Sequence, residues 1–224
     1  MNVITPFFSI HPKYVLPNGE VVPSVTQILN AVIAKPGLQK WANQLGLNNK
    51  NIDNESRATL DIGKLLHAYI QADLEGAIVD EVGYTQEQIA LAKKSFAQYL
   101  RWKDSKQIKT IKTEYVMVSE KYRYGGTLDA LLEVNGELTL LDWKTSTHIS
   151  LDYKLQVAAY LYLLQEQNII PSRVGVLKLP KSDGEFEYYE ADASDHLQKY
   201  GEAWLKALEW YKACLLYTSD AADE

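Results

Sequence analysis

Asp129, Asp142 and Lys144, two carboxylates and an amine, stand out in residues 125–147, GGTLDALLEVNGELTLLDWKTST, because each adjoins an apolar run. Side chains alternate faces along a strand, so Asp142 and Lys144 point one way and Trp143 the other. Asn135-Gly136 is a residue pair favoured in two-residue hairpins. Asp129 lies six residues before Asn135 and Asp142 six after Gly136, so a hairpin in simple register makes the acids cross-strand partners. On an exposed strand a D-x-K pair is usually a solvated ion pair. Here apolar residues 130–132 and 138–141 flank the acids, and adjacent carboxylates in such strands repel unless a cation binds between them. Hard oxygen ligands favour Mg²⁺ or Mn²⁺, which also accept phosphate oxygens. An amine beside them can orient the attacking water or neutralise charge growing on phosphorus, so the chemistry implied is phosphodiester hydrolysis.

The elements that must position these groups are legible from periodicity and punctuation. Tyr14 to Val22 reads as a small hairpin turning at Pro17-Asn18-Gly19. Ser24 or Thr26 suits the cap of a helix to about Val32, and Pro36 the first turn of another to about Leu45. A long helix is predicted from Glu55 to Glu75, and a further one after the Thr85/Gln88 capping box. From Lys112 the texture becomes β: strands at 115–118, 127–134 and 138–143, joined by Gly125-Gly126 and Asn135-Gly136. A helix over 152–167, strands at 174–179 and 186–189, and a closing helix from Ser194 complete a mixed α/β domain. Within it, the helical part 24–105 should arch over the sheet core 112–190. Arg57 and Lys64, seven residues apart, share a face of the long helix.

GxxD followed by a hairpin and D-x-K resembles the PD-(D/E)XK nuclease superfamily. Gly63 to His67 (GKLLH) resembles the GxxxH motif of its RecB-like branch, Gln156 to Tyr160 (QVAAY) the QxxxY helix of that branch, and residues 23–26 (PSVT) phage-type members. Three motifs in order are far more specific than one. The resemblance, from about Tyr14 to Leu179, implies a restriction-endonuclease-like core. It makes His67, Asp129, Asp142 and the backbone carbonyl of Trp143 ligands of Mg²⁺ or Mn²⁺, and Lys144 the catalytic lysine. Gln156 would lie beside the site with Tyr160 one turn later, and Arg57, Lys64 and Tyr160 become candidate DNA contacts. Glu114 resembles a moderately common acid at the start of the first strand, but is not expected as a ligand. The implied activity is a DNA exonuclease in recombination, repair or phage DNA processing, with DNA as partner alongside a recombination protein or a second copy of the chain. An endonuclease of the same superfamily, or a non-catalytic DNA-binding protein retaining the fold, is the alternative. Iron–sulfur members need four cysteines; this chain has one.

That cysteine falls in residues 214–224, CLLYTSDAADE, which resemble a translated sequencing-library adapter. The expected domain is therefore 1–213 with its closing helix over 194–213, and natural sequence is expected to continue beyond Ala213. Without Asp220, Asp223 and Glu224 there remain 26 acids against 23 bases, and the net charge moves from −6 to −3. A mildly acidic chain is unlike a passive DNA-coating protein and suits a site where metal ions supply the positive charge. No run approaches the roughly 18 to 20 apolar residues of a membrane span, and the start lacks signal-peptide order, so a cytosolic protein is expected.

Overall fold

The computed structural model of the 224-residue chain describes residues 2–6, 13–181 and 184–220. Ahead of the sheet lie β1 (Val3–Ile4), the hairpin β2 (Tyr14–Val15) and β3 (Val21–Val22), and α1 (Val25–Val32). Then come α2 (Pro36–Leu47), α3 (Ile52–Glu75), β4 (Ile78–Val79), which pairs in parallel with β1, and α4 (Gln86–Lys103). Helix starts follow their local chemistry. Ser24 and Gln27 close a capping box on α1, Thr85 and Gln88 another on α4, and Pro36 opens α2. Gly76 ends α3 in the left-handed conformation at φ 66°.

The central sheet runs β5 (Ile108–Ser119), β6 (Tyr124–Val134), β7 (Glu137–Lys144), β8 (Arg173–Lys178) and β9 (Glu187–Asp192), in that order. All neighbours are antiparallel except β7 and β8, whose parallel pairing needs the crossover helix α5 (Leu151–Glu166). The last helix, α6 (Ala193–Asp220), packs on α5. One core lies between the sheet and α1, α5 and α6, centred on Leu128, Leu131, Leu140, Val174 and Trp204. The other lies under α3 and α4, where Leu66, Ile70, Tyr99 and Trp102 meet Ala130, Leu132, Leu141 and Trp143. The sheet is thus covered on both sides, which is why its strands read as nearly continuous apolar runs.

Several boundaries differ from the sequence expectation. The meander's first strand begins at Ile108 rather than near Lys112, and its first turn is 120–123, with Arg123 at φ 58°. Gly125-Gly126 is no turn but lies inside β6. A Cβ at Gly125 would sit 2.4 Å from the Tyr14 ring, and one at Gly126 would sit 2.6 Å from Tyr160. These glycines let aromatic rings lie against bare backbone. The second turn is as expected, with Asn135 at φ 52° and Gly136 at 87°. The β1–β4 pair was not anticipated, and the last helix runs to Asp220 rather than ending near Ala213. Of the segment read as adapter-derived, 221–224 lie outside the described residues.

Tyr160 is 3% exposed and cannot swing away, so Gly126→Ala should destabilise the protein by about 1–3 kcal/mol through overpacking. Gly63→Ala, whose new methyl would meet only Thr145 Oγ1 at 3.7 Å, should stabilise α3 by about 0.5–1 kcal/mol. Urea denaturation of both variants checks the contrast; equal midpoints would contradict it.

Candidate active site

The β6–β7 ladder ends at Ala130↔Leu141, so Asp129 and Asp142 occupy the next step, where the strands separate. On the other side of β6 the register places Glu114 opposite Asp129, between the pairs Thr113↔Ala130 and Tyr115↔Leu128. The sheet's faces exchange at this point. Thr113 bonds to Glu75 of α3 and Ala130 lies in the α3–α4 core, whereas Tyr115 and Leu128 belong to the α5 side. Glu114 makes the exchange with φ at 43°, a conformation that costs a non-glycine residue about 1–3 kcal/mol and that clusters at functional sites.

Helix α3 delivers His67 to this break, Nδ1 3.4 Å from Asp129 Oδ1. One ligand atom each from His67, Glu114 and Asp129 lies within 4.8 Å of the other two. The second Asp129 oxygen accepts from the Trp143 N–H at 2.7 Å. In a strand, a residue's N–H and C=O face the same neighbour, so the Trp143 carbonyl points to the Asp129 side. The Lys144 carbonyl faces the other way and accepts from Leu179 N–H at 2.7 Å. Meanwhile the Trp143 indole is sunk in the α3–α4 core.

Asp142 is fully buried. Lys144 Nζ lies 2.9 Å from Oδ1 and 2.7 Å from Oδ2, but only the first contact is aligned as a hydrogen bond, which leaves Oδ2 without a directed donor. The ammonium is also 5.2 Å from the Tyr153 ring centroid. Burial and the neighbouring Asp129 push the Asp142 carboxyl up to about 6 against the pull of Lys144. Burial alone would lower His67, but the Asp129 and Glu114 carboxylates outweigh it and hold the imidazole up to about 9. Burial would raise Asp129, yet His67, Lys144 and the Trp143 N–H hold it low. Enclosure and repulsion by Asp129 raise Glu114, although much of its residue surface still meets solvent, which weakens the first effect. Burial likewise would lower Lys144, and Asp142 with Asp129 keeps it raised and charged.

The donor set passes the test for a hard divalent cation: clustered carboxylates, an adjacent imidazole, a backbone carbonyl facing them, and an acid oxygen lacking a directed donor. Of the residues expected here, His67, Asp129, the Trp143 backbone and Lys144 converge. Asp142 stands outside the trio, its carboxylate turned to Lys144. Glu114, which resembles a moderately common acid but was not expected as a ligand, joins instead. Gln156 is half-buried and donates to the Tyr160 hydroxyl at 2.6 Å. Tyr160 as a DNA contact needs correction, because its ring is packed in the core against Gly126. Arg57 and Lys64 are exposed on α3, Lys64 lying 3.9 Å from Asp61.

The PD-(D/E)XK nuclease superfamily model matches residues 40–214. The chain belongs to this superfamily. The D-x-K hairpin and the His67 helix of this superfamily member both fall inside the matched region. It is 24% identical over 206 residues to human mitochondrial genome maintenance exonuclease 1; the match takes in 85% of this chain and 58% of that protein's length. Among solved structures, a candidate exonuclease from Eubacterium rectale is similar at 16% identity and TM-score 0.45, over 75% of this chain and 70% of the other. LHK-Exo in complex with dAMP is similar at 11% identity and TM-score 0.42, over 90% of this chain and 93% of the other. Likenesses this distant carry no argument about activity. Among the described residues, no helix is long and apolar enough to cross a membrane.

A cation-dependent stability profile follows from the charges. His67 is raised above its ordinary 6.5, so its contribution is full below that pH and is lost as pH rises through about 9. Asp142, raised to about 6, acts in the same sense at lower pH. Asp129, held low, acts oppositely, losing its contribution only in acid. In EDTA, the melting temperature should therefore fall between pH 6.5 and 9, and Mn²⁺ should reverse the fall by replacing the His67 proton. Identical melting curves with and without Mn²⁺ at pH 8.5 would rule out a cation at these residues.

Proposed function

We propose that this nuclease is a Mg²⁺- or Mn²⁺-dependent deoxyribonuclease that hydrolyses phosphodiester bonds, acting as an exonuclease. The observation that carries the reading is the convergence of His67, Glu114 and Asp129 within 4.8 Å, beside the buried Asp142–Lys144 pair. His67, Glu114, Asp129 and the Trp143 carbonyl would hold the cation, with Asp142 at its edge. When bound, the cation supplies positive charge to the phosphate and a more acidic water. Superfamily members generally use divalent metals. An imidazole among the ligands suits Mn²⁺ better than Mg²⁺, so activity should need less Mn²⁺.

The chain's own residues divide the remaining work. Lys144 stays charged because Asp142 and Asp129 surround it, so its part is to donate hydrogen bonds to a non-bridging phosphate oxygen and to offset charge growing there. Asp142 and the Tyr153 ring fix the direction of that ammonium. Asp129 ties the His67 helix to the Trp143 backbone, so both sides of the site move together. An exonuclease fits the name of the human relative, of which this chain spans only part. DNA processing in recombination or repair, in a phage or bacterial setting, is the biological role that fits these motifs.

Lys144→Ala should lower kcat by about 10²–10³ or more, and lower the melting temperature because the buried Asp142 loses its counter-charge. Glu114→Gln should keep activity but raise the cation concentration required by about tenfold. Both are measured on end-labelled single- and double-stranded DNA with Mg²⁺, Mn²⁺ or EDTA. An intact circular substrate beside a degraded linear one marks an exonuclease, and a cut circle marks an endonuclease. Full-length folded protein that leaves every substrate whole in Mn²⁺ would defeat the enzyme reading, leaving a DNA-binding role for the fold.

A further inference from the structure

Beyond the acid cluster, an open cleft of about 380 Å³ runs from His67 and Trp143 past Lys144 to the 145–147 loop, Tyr153 and Lys181. Among the described residues, no aspartate or glutamate lines it. Other lysines on this side are engaged: Lys144 with Asp142, and Lys178 with Glu187 at 3.2 Å. Lys181, just past β8, is partly buried and has no ion-pair partner among the described residues. Burial holds its ammonium below the ordinary lysine value, and no anion among the described residues offsets the effect. A partly desolvated cation of this kind is costly until an anion comes to it.

The loop opposite offers hydroxyls. Ser146 Oγ donates to the His148 carbonyl at 2.8 Å and Thr147 Oγ1 pairs with His148 Nδ1 at 3.3 Å, which fixes the loop's conformation. Thr145, between them and Lys144, has no hydrogen-bond partner for its hydroxyl among the described residues. Helix α3 passes close to it without crowding, since even a methyl at Gly63 would stand 3.7 Å from Thr145 Oγ1.

We propose that Lys181 and the Thr145 hydroxyl hold a substrate phosphate adjoining the one cleaved at the acid cluster, setting which linkage is presented to Lys144. The inference rests on the nuclease reading and adds a second anion position to it. That phosphate is either an internal one of the strand or a terminal one, since both offer the same oxygens. The exposed Arg57 and Lys64 lie on the α3 surface and do not line this cleft.

The test uses the full chain carrying Lys181→Gln or Lys181→Arg. Binding of labelled single-stranded oligonucleotide is followed by anisotropy in Ca²⁺, and cleavage kinetics in Mn²⁺. K181Q should weaken binding and raise KM by about 5–10-fold with kcat changed by less than about twofold, and should flatten the salt dependence of binding by about 0.7 in log–log slope. K181R, keeping the charge, should restore most of the loss. A loss confined to 5′-phosphorylated oligonucleotide identifies the terminal phosphate; an equal loss with 5′-hydroxyl oligonucleotide identifies an internal one. Wild-type affinity and salt slope in K181Q would overturn the proposal while leaving the nuclease reading intact. A wild-type protein that neither binds nor cleaves DNA would remove that reading, and this proposal with it.

Discussion

Crowding of like charge at one break in an apolar sheet is the constraint on which the rest of the molecule depends. Glu114, Asp129 and Asp142 come from three successive strands and meet where the ladders end or reverse face. Among the described residues, only His67 and Lys144 face them with opposite charge, and the proton on His67 is itself held there by the carboxylates. Folding such a cluster into low-dielectric surroundings is unfavourable unless hydrogen bonds and cations neutralise it. The same imbalance makes the site a receptor for a hard cation, so the feature that strains the fold is the one that equips it for phosphate chemistry.

The framework is arranged to hold that imbalance in place. Trp143 works at both ends of its residue: the indole lies in the core beneath α3 and α4, while the N–H binds Asp129. His67 rides on α3, whose buried Leu66 and Ile70 anchor it to the same core. On the opposite side, Gly126 lets Tyr160 of α5 lie against β6, and that ring orients Gln156. Each charged group is therefore one residue away from a packed hydrophobic one, which keeps the rotamers of the site narrow.

Much of this was legible in the residues. The Asn135-Gly136 turn and the equal spacing of Asp129 and Asp142 predicted the hairpin, and β-alternation placed Lys144 with Asp142 and Trp143 opposite; the structure shows this arrangement. The Thr85/Gln88 capping box and a cap at Ser24 or Thr26 marked two helix starts because capping is purely local hydrogen bonding, and the structure resolves the second to a box at Ser24. Gly125-Gly126 misled for the complementary reason. A glycine pair reads as a turn when judged locally, but here it is required by Tyr14 and Tyr160, which come from over 30 residues away and more. Tyr160 was offered as a DNA contact rather than as core because the apolar pattern of α5 runs nearly all round the helix, so sequence offered no wet face to choose. Glu114 was raised by its resemblance to an acid at the start of the first strand but was not expected as a ligand, since nothing local signals that its backbone turns left-handed.

What the sequence determined alone was the set of local alternatives: which segments are helical or extended, where the tight turn falls, and which acids and amine share a hairpin. Those depend on interactions over a few residues, and residue type decides them. Tertiary structure decided which of those groups meet. It brought α3 across to place His67 on Asp129, exchanged the sheet's faces so that Glu114 joined them, and turned Asp142 to Lys144. Such choices balance long-range packing against desolvation of charge, and neither quantity exists until the strands and helices are in contact.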